Sequence, residues 1–109
     1  MLMEDYPKVS IIWLNYNSYH ILKIVSKSIE SLIKLDYPNY EIIIVDNGSN
    51  DGSFEEIKKI VQKFKNLYKK FPTIKMVRLR TNLGFTGGIT LSILIDLMEL
   101  VFYVKLSLF

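Results

Sequence analysis

EIIIVDNGSND, residues 41–51, is the stretch that decides the fold. Ile42, Ile43, Ile44 and Val45 are four β-branched residues in a row, and the run stops at Asp46. So short and so apolar a run suits a strand buried on both faces, as in a parallel sheet. The residues that follow, DNGSNDG at 46–52, combine two glycines with four Asn and Asp side chains and predict a turn. Ser53 with Glu56 three residues later has the spacing of a capping box, which places a helix start at Ser53. The chain therefore runs from buried strand to polar loop to helix. In open α/β sheets ligands bind outside the carboxyl ends of the strands, and Asp46 sits at such an end.

Working outward, the same grammar repeats twice. Upstream, VSIIWL at 9–14 is a nearly continuous apolar run that ends in the polar cluster Asn15-Tyr16-Asn17-Ser18. Asn17 or Ser18 can cap a helix from about Tyr19 to Lys34. Its apolar stripe comprises Ile21, Val25 and Leu32, interrupted by Ser28 and widened by Ile24 and Ile29. Asp36-Tyr37-Pro38 ends it, because proline restricts itself and the residue before it. Downstream, Phe54, Ile57, Val61, Phe64, Tyr68 and Phe71 alternate spacings of three and four, which predicts a helix from about Phe54 to Lys70. The lysines between them read as a solvated helix back. Pro72 stops that helix, IKMVRL at 74–79 is a third strand, and RTNLGFTGG at 80–88 is a further glycine-rich loop. The result is β-α-β-α-β. Right-handed crossovers then give a parallel sheet in the order 3-2-1, half of a doubly wound α/β sheet, with three polar loops converging on one edge. An apolar helix and a fourth strand within 89–109 complete the expected architecture.

Composition narrows the function classes. At 109 residues the chain is one small domain, and half of its residues are apolar, enough for a core. The net charge of +3 is too mild to imply nucleic acid. The absence of cysteine removes disulfide and thiolate chemistry, and a single histidine, His20, makes neither a zinc site nor a Ser-His pair. Met1–Lys8 has no long apolar core, against a secretory leader. Ile89–Phe109 is the one membrane-length apolar stretch, but Asp96, Glu99 and Lys105 interrupt it, and a central Asp costs roughly 2.5–3.5 kcal/mol on insertion scales. The expected location is cytoplasmic, with 89–109 as a candidate for peripheral membrane contact or self-association.

PKVSIIWLNYNS at 7–18, YPNYEIIIVDNGSNDGS at 37–53 and NLGFTGG at 82–88, in this order, resemble the N-terminal half of family 2 glycosyltransferases, which have the GT-A fold. NLGFTGG is most similar to the rhamnosyltransferase branch. The resemblance implies a Rossmann-like domain that binds a nucleoside-diphosphate sugar of UDP or dTDP type for transfer to a glycan or lipid-linked acceptor. It implies that Asn15 and Tyr16 cup base and ribose and that Asp46 accepts a hydrogen bond from the base. Asn47, Ser49 and Asp51 then shape the pocket, and Asn82 and Gly84 approach the nucleotide from the third loop. Plainer roles stand beside these. Asp46 can anchor its own turn through the amides of Gly48 or Ser49, Asp51 can favour a helix dipole, Tyr16 can be packing, and Gly87-Gly88 can be a helix entry.

The segment after Gly88 departs from the family's pattern. Family members continue into a strand that ends in an acidic motif holding a divalent metal, Mg or Mn, against the donor diphosphate. Here Asp96 and Glu99 are the acids of the segment, and with Ser92 they fall on one helical stripe rather than at a strand end. No catalytic residue and no metal ligand is therefore assigned, and 1–109 reads as a single, truncated donor-binding domain that is inactive alone. The competing reading is a non-enzymatic remnant or interaction module that associates through its apolar tail. Metal-dependent UDP binding favours the first, and assembly indifferent to UDP favours the second. An unrelated nucleotide-binding protein is disfavoured, since neither G-x-G-x-x-G nor a Walker loop is present.

Overall fold

The computed structural model describes residues 6–84, Gly87 and the backbone of the strand Phe102–Ser107. Its elements are β1 (Val9–Asn15), a 3-10 turn (Tyr19–Ile21), α1 (Leu22–Ile33), β2 (Tyr40–Asp46), α2 (Ser53–Leu67), β3 (Thr73–Arg78) and β4 (Phe102–Ser107). The four strands form one sheet in the order β3-β2-β1-β4, and every pair is parallel. The expected 3-2-1 order is present, and the anticipated fourth strand pairs with β1 on its free side. The topological switch of this doubly wound arrangement therefore falls between β1 and β4. The apolar helix expected after Gly88, with Ser92, Asp96 and Glu99, lies outside the described residues.

Strand alternation divides the sheet's side chains between two faces. Ile11, Trp13, Ile42 and Ile44 point to the face covered by α1 and α2, where they pack with Val25, Ile29, Leu32, Ile33, Ile57 and Phe64. Ile12, Leu14, Ile43 and Val45 form a second cluster with Leu79 on the opposite face. Ile42 to Val45 are all 0% exposed, as a strand central to a two-faced parallel sheet requires. Each such side chain contributes roughly 1.5–3 kcal/mol on burial, so β1 and β2 hold the domain together. β3 is half-buried along its length with exposed ends.

Four local expectations need correction. Ile24 does not widen the buried stripe of α1: it is 57% exposed, because it sits one position, about 100° of helix, before the fully buried Val25. The second helix ends at Leu67, not near Lys70. Tyr68 already has an extended backbone, and its amide closes the last turn on the Phe64 carbonyl at 2.9 Å. Tyr68 and Phe71 keep the apolar periodicity because both still pack on the core from outside the helix. Ser53 is the first helical residue, not the cap. Gly52 precedes it at φ +87° with no capping side chain, and the Glu56 side chain pairs with Lys59 at 3.2 Å. The Ser53 hydroxyl is engaged elsewhere, by the Asn15 amide, and the Ser53 N–H is satisfied by Asp51 Oδ1 at 2.9 Å. Ser18 likewise caps nothing, since its hydroxyl donates to Asn15 Oδ1. Among the described residues no helix is long and apolar enough to cross a membrane.

Candidate functional site

The three strand ends are in register: Asn15 is opposite Asp46, and Asp46 is opposite Arg78. All three belong to the face that α1 and α2 cover, so they form one polar row closing that core at the carboxyl edge of the sheet. Asp46 is the centre of the row and is 0% exposed. A buried carboxylate is costly unless it is paired and hydrogen-bonded. Here Oδ1 accepts from Asn15 Nδ2 at 2.8 Å and Oδ2 from the Ser49 amide at 3.0 Å, with Arg78 Nε 3.7 Å from Oδ2. The bond to Ser49 is the turn-anchoring one that the Asp-Asn-Gly-Ser spelling allows.

Asn15, 1% exposed, extends the network. Its Nδ2 also reaches Ser49 Oγ at 3.3 Å and Ser53 Oγ at 3.1 Å. Ser49 Oγ in turn accepts from the Asn17 amide at 2.8 Å, and Asn17 Oδ1 accepts from the Asn50 amide at 2.9 Å. Asn17 holds φ +46°, a left-handed conformation that asparagine tolerates better than most residues. Asp51 bridges the same two loops, with Oδ2 taking the Tyr19 amide at 3.0 Å. Burial pushes its carboxyl upward, but hydrogen bonds from the Ser53 hydroxyl and from the Tyr19 and Ser53 amides outweigh this and hold it below the usual carboxylate value.

The third loop is tied down by Asn47. Its Nδ2 donates to the Gly84 carbonyl at 3.0 Å, and its Oδ1 accepts the Leu83 amide at 2.8 Å, so one side chain pairs with the loop as a neighbouring strand would. Asn82 Oδ1 accepts the Gly84 amide at 2.6 Å and folds the tip. Gly48 lets the loops approach: at φ +81°, a Cβ there would stand 2.6 Å from the Thr81 carbonyl carbon. Gly84, at φ +75°, has open space around it.

Each residue expected at the site therefore reaches the carboxyl edge, but at two depths. Asn15, Asp46, Asn47 and Ser49 are buried and bonded to one another or to the loops. Tyr16 and Asp51 are half-buried, and Asn82 and Gly84 are exposed. The Asp46 carboxylate, expected to accept from a nucleobase, is 0% exposed and engaged by Asn15 and the Ser49 amide. Sequence reasoning missed Arg78, Asn17 and Ser53. Arg78 touches Asp46, donates to the Ser49 carbonyl at 3.1 Å and to Glu55 at 2.7 Å, and lies over the Phe54 ring. Its signal existed, as the one arginine at a strand end, but only the register brings it opposite Asp46. His20 is exposed, in keeping with a surface role. Among the described residues no three His, Asp or Glu side chains gather as a metal cradle. The Asp46 carboxylate is committed to Asn15, the Ser49 amide and Arg78, and that of Asp51 to the Tyr19 and Ser53 amides, so the described residues do not fit a metal.

This edge can be compared with known proteins. Residues 10–93 match the model of glycosyl transferase family 2, past the Gly88 at which the motif resemblance ended. The chain is 32% identical over 94 residues to an uncharacterized glycosyltransferase of Haemophilus influenzae, covering 84% of this chain and 25% of that protein. In structure it is similar to S. aureus TarS 1-349 (TM-score 0.60, 27% identity, 92% of this chain and 27% of that one). It shares the fold of a mannosyltransferase, PcManGT, from Pyrobaculum calidifontis, determined in complex with GDP-Man and Mn2+ (TM-score 0.67, 18% identity, 84% of this chain and 25% of that one). The chain thus spans about a quarter of the length of these relatives. A parallel 3-2-1 sheet, a carboxyl edge built from Asn15, Asp46 and three interlocked loops, and a family match over most of its length lead to one conclusion: this chain belongs to glycosyl transferase family 2.

Proposed function

We propose that the carboxyl edge of β1, β2 and β3 binds the nucleotide of a nucleoside-diphosphate sugar, as the donor-binding unit of a glycosyltransferase. The observation that carries this reading is the mutual bracing of the three loops, in which Asn15, Asn47, Ser49 and Asp51 each hold a neighbouring loop in place. A braced edge loses little entropy when a ligand docks, which is what preorganisation contributes to affinity. The GDP-Man complex of the fold neighbour supports a nucleotide-sugar ligand in general. For this chain the reading remains a UDP or dTDP donor, with a glycan or lipid-linked acceptor and the rhamnosyltransferase-type branch.

Roles divide by depth. Tyr16, Asp51, Asn82 and Gly84 face the ligand, and Asn15, Asp46, Asn47 and Ser49 position the loops that carry them. The divalent ion of the family supplies charge neutralisation at the departing diphosphate when bound. The described residues contribute base and ribose recognition. Transfer is accordingly assigned to a longer arrangement, and the 109-residue chain is expected to bind donor without turning it over.

Calorimetric titration with UDP, dTDP and GDP tests the reading. Saturable binding of a pyrimidine nucleotide, weakened about tenfold or more in Asp46→Ala because the loop anchor is lost, is the expected result. Absence of binding by a folded chain to all three nucleotides, with and without Mn2+, overturns it. Donor hydrolysis in the presence of magnesium or manganese is expected to be nil, and chelator-sensitive turnover by the isolated chain would refute its inactivity.

A further inference from the structure

The two-helix layer is rich in exposed lysine. The helices α1 and α2 hold six lysines and three acidic residues, a net of +3, and with the turns that follow them (residues 22–39 and 53–70) nine lysines and four acids, a net of +5. All nine lysines are exposed. Three of the four acids are already paired: Glu30 with Lys34 at 3.8 Å, Glu56 with Lys59 at 3.2 Å and Glu55 with Arg78 at 2.7 Å. Since α1 and α2 cover one face of the sheet, the six lysines on them lie on that side of the domain, and Lys34, Lys69 and Lys70 follow at the helix ends.

The two helices and the turn after α1 also carry large aliphatic side chains that the core does not use. Ile24 is 57% exposed, Leu67 62% and Leu35 42%. A soluble polyanion complements the lysines but offers nothing to these three residues. An anionic bilayer complements both, with headgroup charge for the ammonium groups and the acyl boundary for the aliphatic tips. We propose that the α1–α2 layer is a docking face for an anionic phospholipid surface. On this face the domain lies with its sheet parallel to the membrane, and the carboxyl-edge loops open to the side, so nucleotide access is kept. The attachment is independent of the apolar stretch 89–109.

Co-sedimentation with vesicles tests the idea, comparing phosphatidylcholine alone with phosphatidylcholine containing phosphatidylglycerol. The chain is expected to bind the anionic vesicles at about 0.1 M salt and to be released near 1 M, where the screening length shrinks from about 10 Å to about 3 Å. A juxtamembrane lysine contributes about fivefold in affinity. Lys23 and Lys27 lie one turn apart on the exposed back of α1, so the double variant Lys23→Glu with Lys27→Glu should lower partitioning at least about 25-fold while nucleotide binding, read by calorimetry, stays as in the parent. Leu67→Ser should lower it severalfold. Equal binding to neutral vesicles, or no loss in the double variant, overturns the proposal. So does complete displacement by soluble polyphosphate with Leu67→Ser unchanged, which identifies a general polyanion surface instead.

Discussion

At Gly48 and Gly84 the same residue type meets two different constraints, and substitution separates them. Both have positive φ, so alanine at either pays the left-handed penalty of about 1–2 kcal/mol. At Gly48 the new Cβ also collides with backbone of the third loop, 2.6 Å from the Thr81 carbonyl carbon and 2.7 Å from the Asn82 nitrogen. Urea melts are expected to show Gly48→Ala as clearly the more destabilising of the two, and equal losses would mean that the loops do not touch there. Asn47 makes the complementary test. Asn47→Ala removes both side-chain bonds to residues 83 and 84 and strands a loop amide, which is worth about 1–3 kcal/mol. Limited proteolysis is expected to cut the 79–84 loop faster in this variant, and an unchanged rate would assign the bracing to other contacts. Residue identity at 46–52 was legible as a turn. That Asp46 lies beneath the edge rather than on it was not, because depth depends on what packs over a strand end.

At the scale of elements, the two helices test how well periodicity predicts burial. Ile57 is 0% exposed, and Ile57→Ala is expected to cost about 2–5 kcal/mol. Ile24 belongs to an equally suggestive apolar pattern but faces solvent, so Ile24→Ala should stay within about 0.5 kcal/mol. Comparable losses from the two would show Ile24 to be buried after all. The strands carry a further element-level device at the end of the sheet away from the loops. Glu41 is 1% exposed within β2, accepts a hydrogen bond from Ser10 at 2.6 Å and pairs with Lys75 at 3.2 Å and Lys8 at 3.6 Å. Burial raises its carboxyl, but the Ser10 and Lys75 hydrogen bonds and the two lysine charges prevail and hold it below the ordinary 4.5. The unfolded chain then takes up the proton first as pH falls. The stabilisation is complete above about pH 4.5 and is lost as pH drops through the lowered folded value. Thermal melts from pH 7 to 3 should show this acid loss, and Glu41→Gln should flatten it. An unflattened profile would place the acid sensitivity on other carboxylates.

For the whole molecule, sheet order and charge distribution act together. The parallel order β3-β2-β1-β4 puts the end of β1 at the switch point and all described loops of β1, β2 and β3 on one edge. The lysine-rich helix layer is at right angles to that edge, on a sheet face. Nucleotide binding and the proposed membrane docking are thus expected to be additive: saturating nucleotide should leave vesicle partitioning unchanged, and strong coupling in a joint titration would show that the two surfaces communicate. Sites that lie apart are those for which additivity holds, and the exposed Glu55–Arg78 pair is a link through which coupling would run.

The sequence by itself determined the element order, the parallel sheet and the edge on which the site lies. Four consecutive β-branched residues before an Asn/Asp/Gly loop have few other ways to bury their side chains and satisfy their backbone. It also determined the family, through motifs whose order and composition survive without any knowledge of contacts. Tertiary structure alone decided which of the polar strand-end residues are floor and which are surface, because that depends on register across three strands. Asn15, Asp46 and Arg78 are 31 and 32 residues apart along the chain, and only the pairing of β1, β2 and β3 sets them in one row. Tertiary structure likewise decided where the helices begin and end. Ser53 and Ser18 have capping spellings, but the buried amide of Asn15 engages both hydroxyls, and for Ser53 that partner is 38 residues away in a dry site, where it outweighs a local one that water can replace.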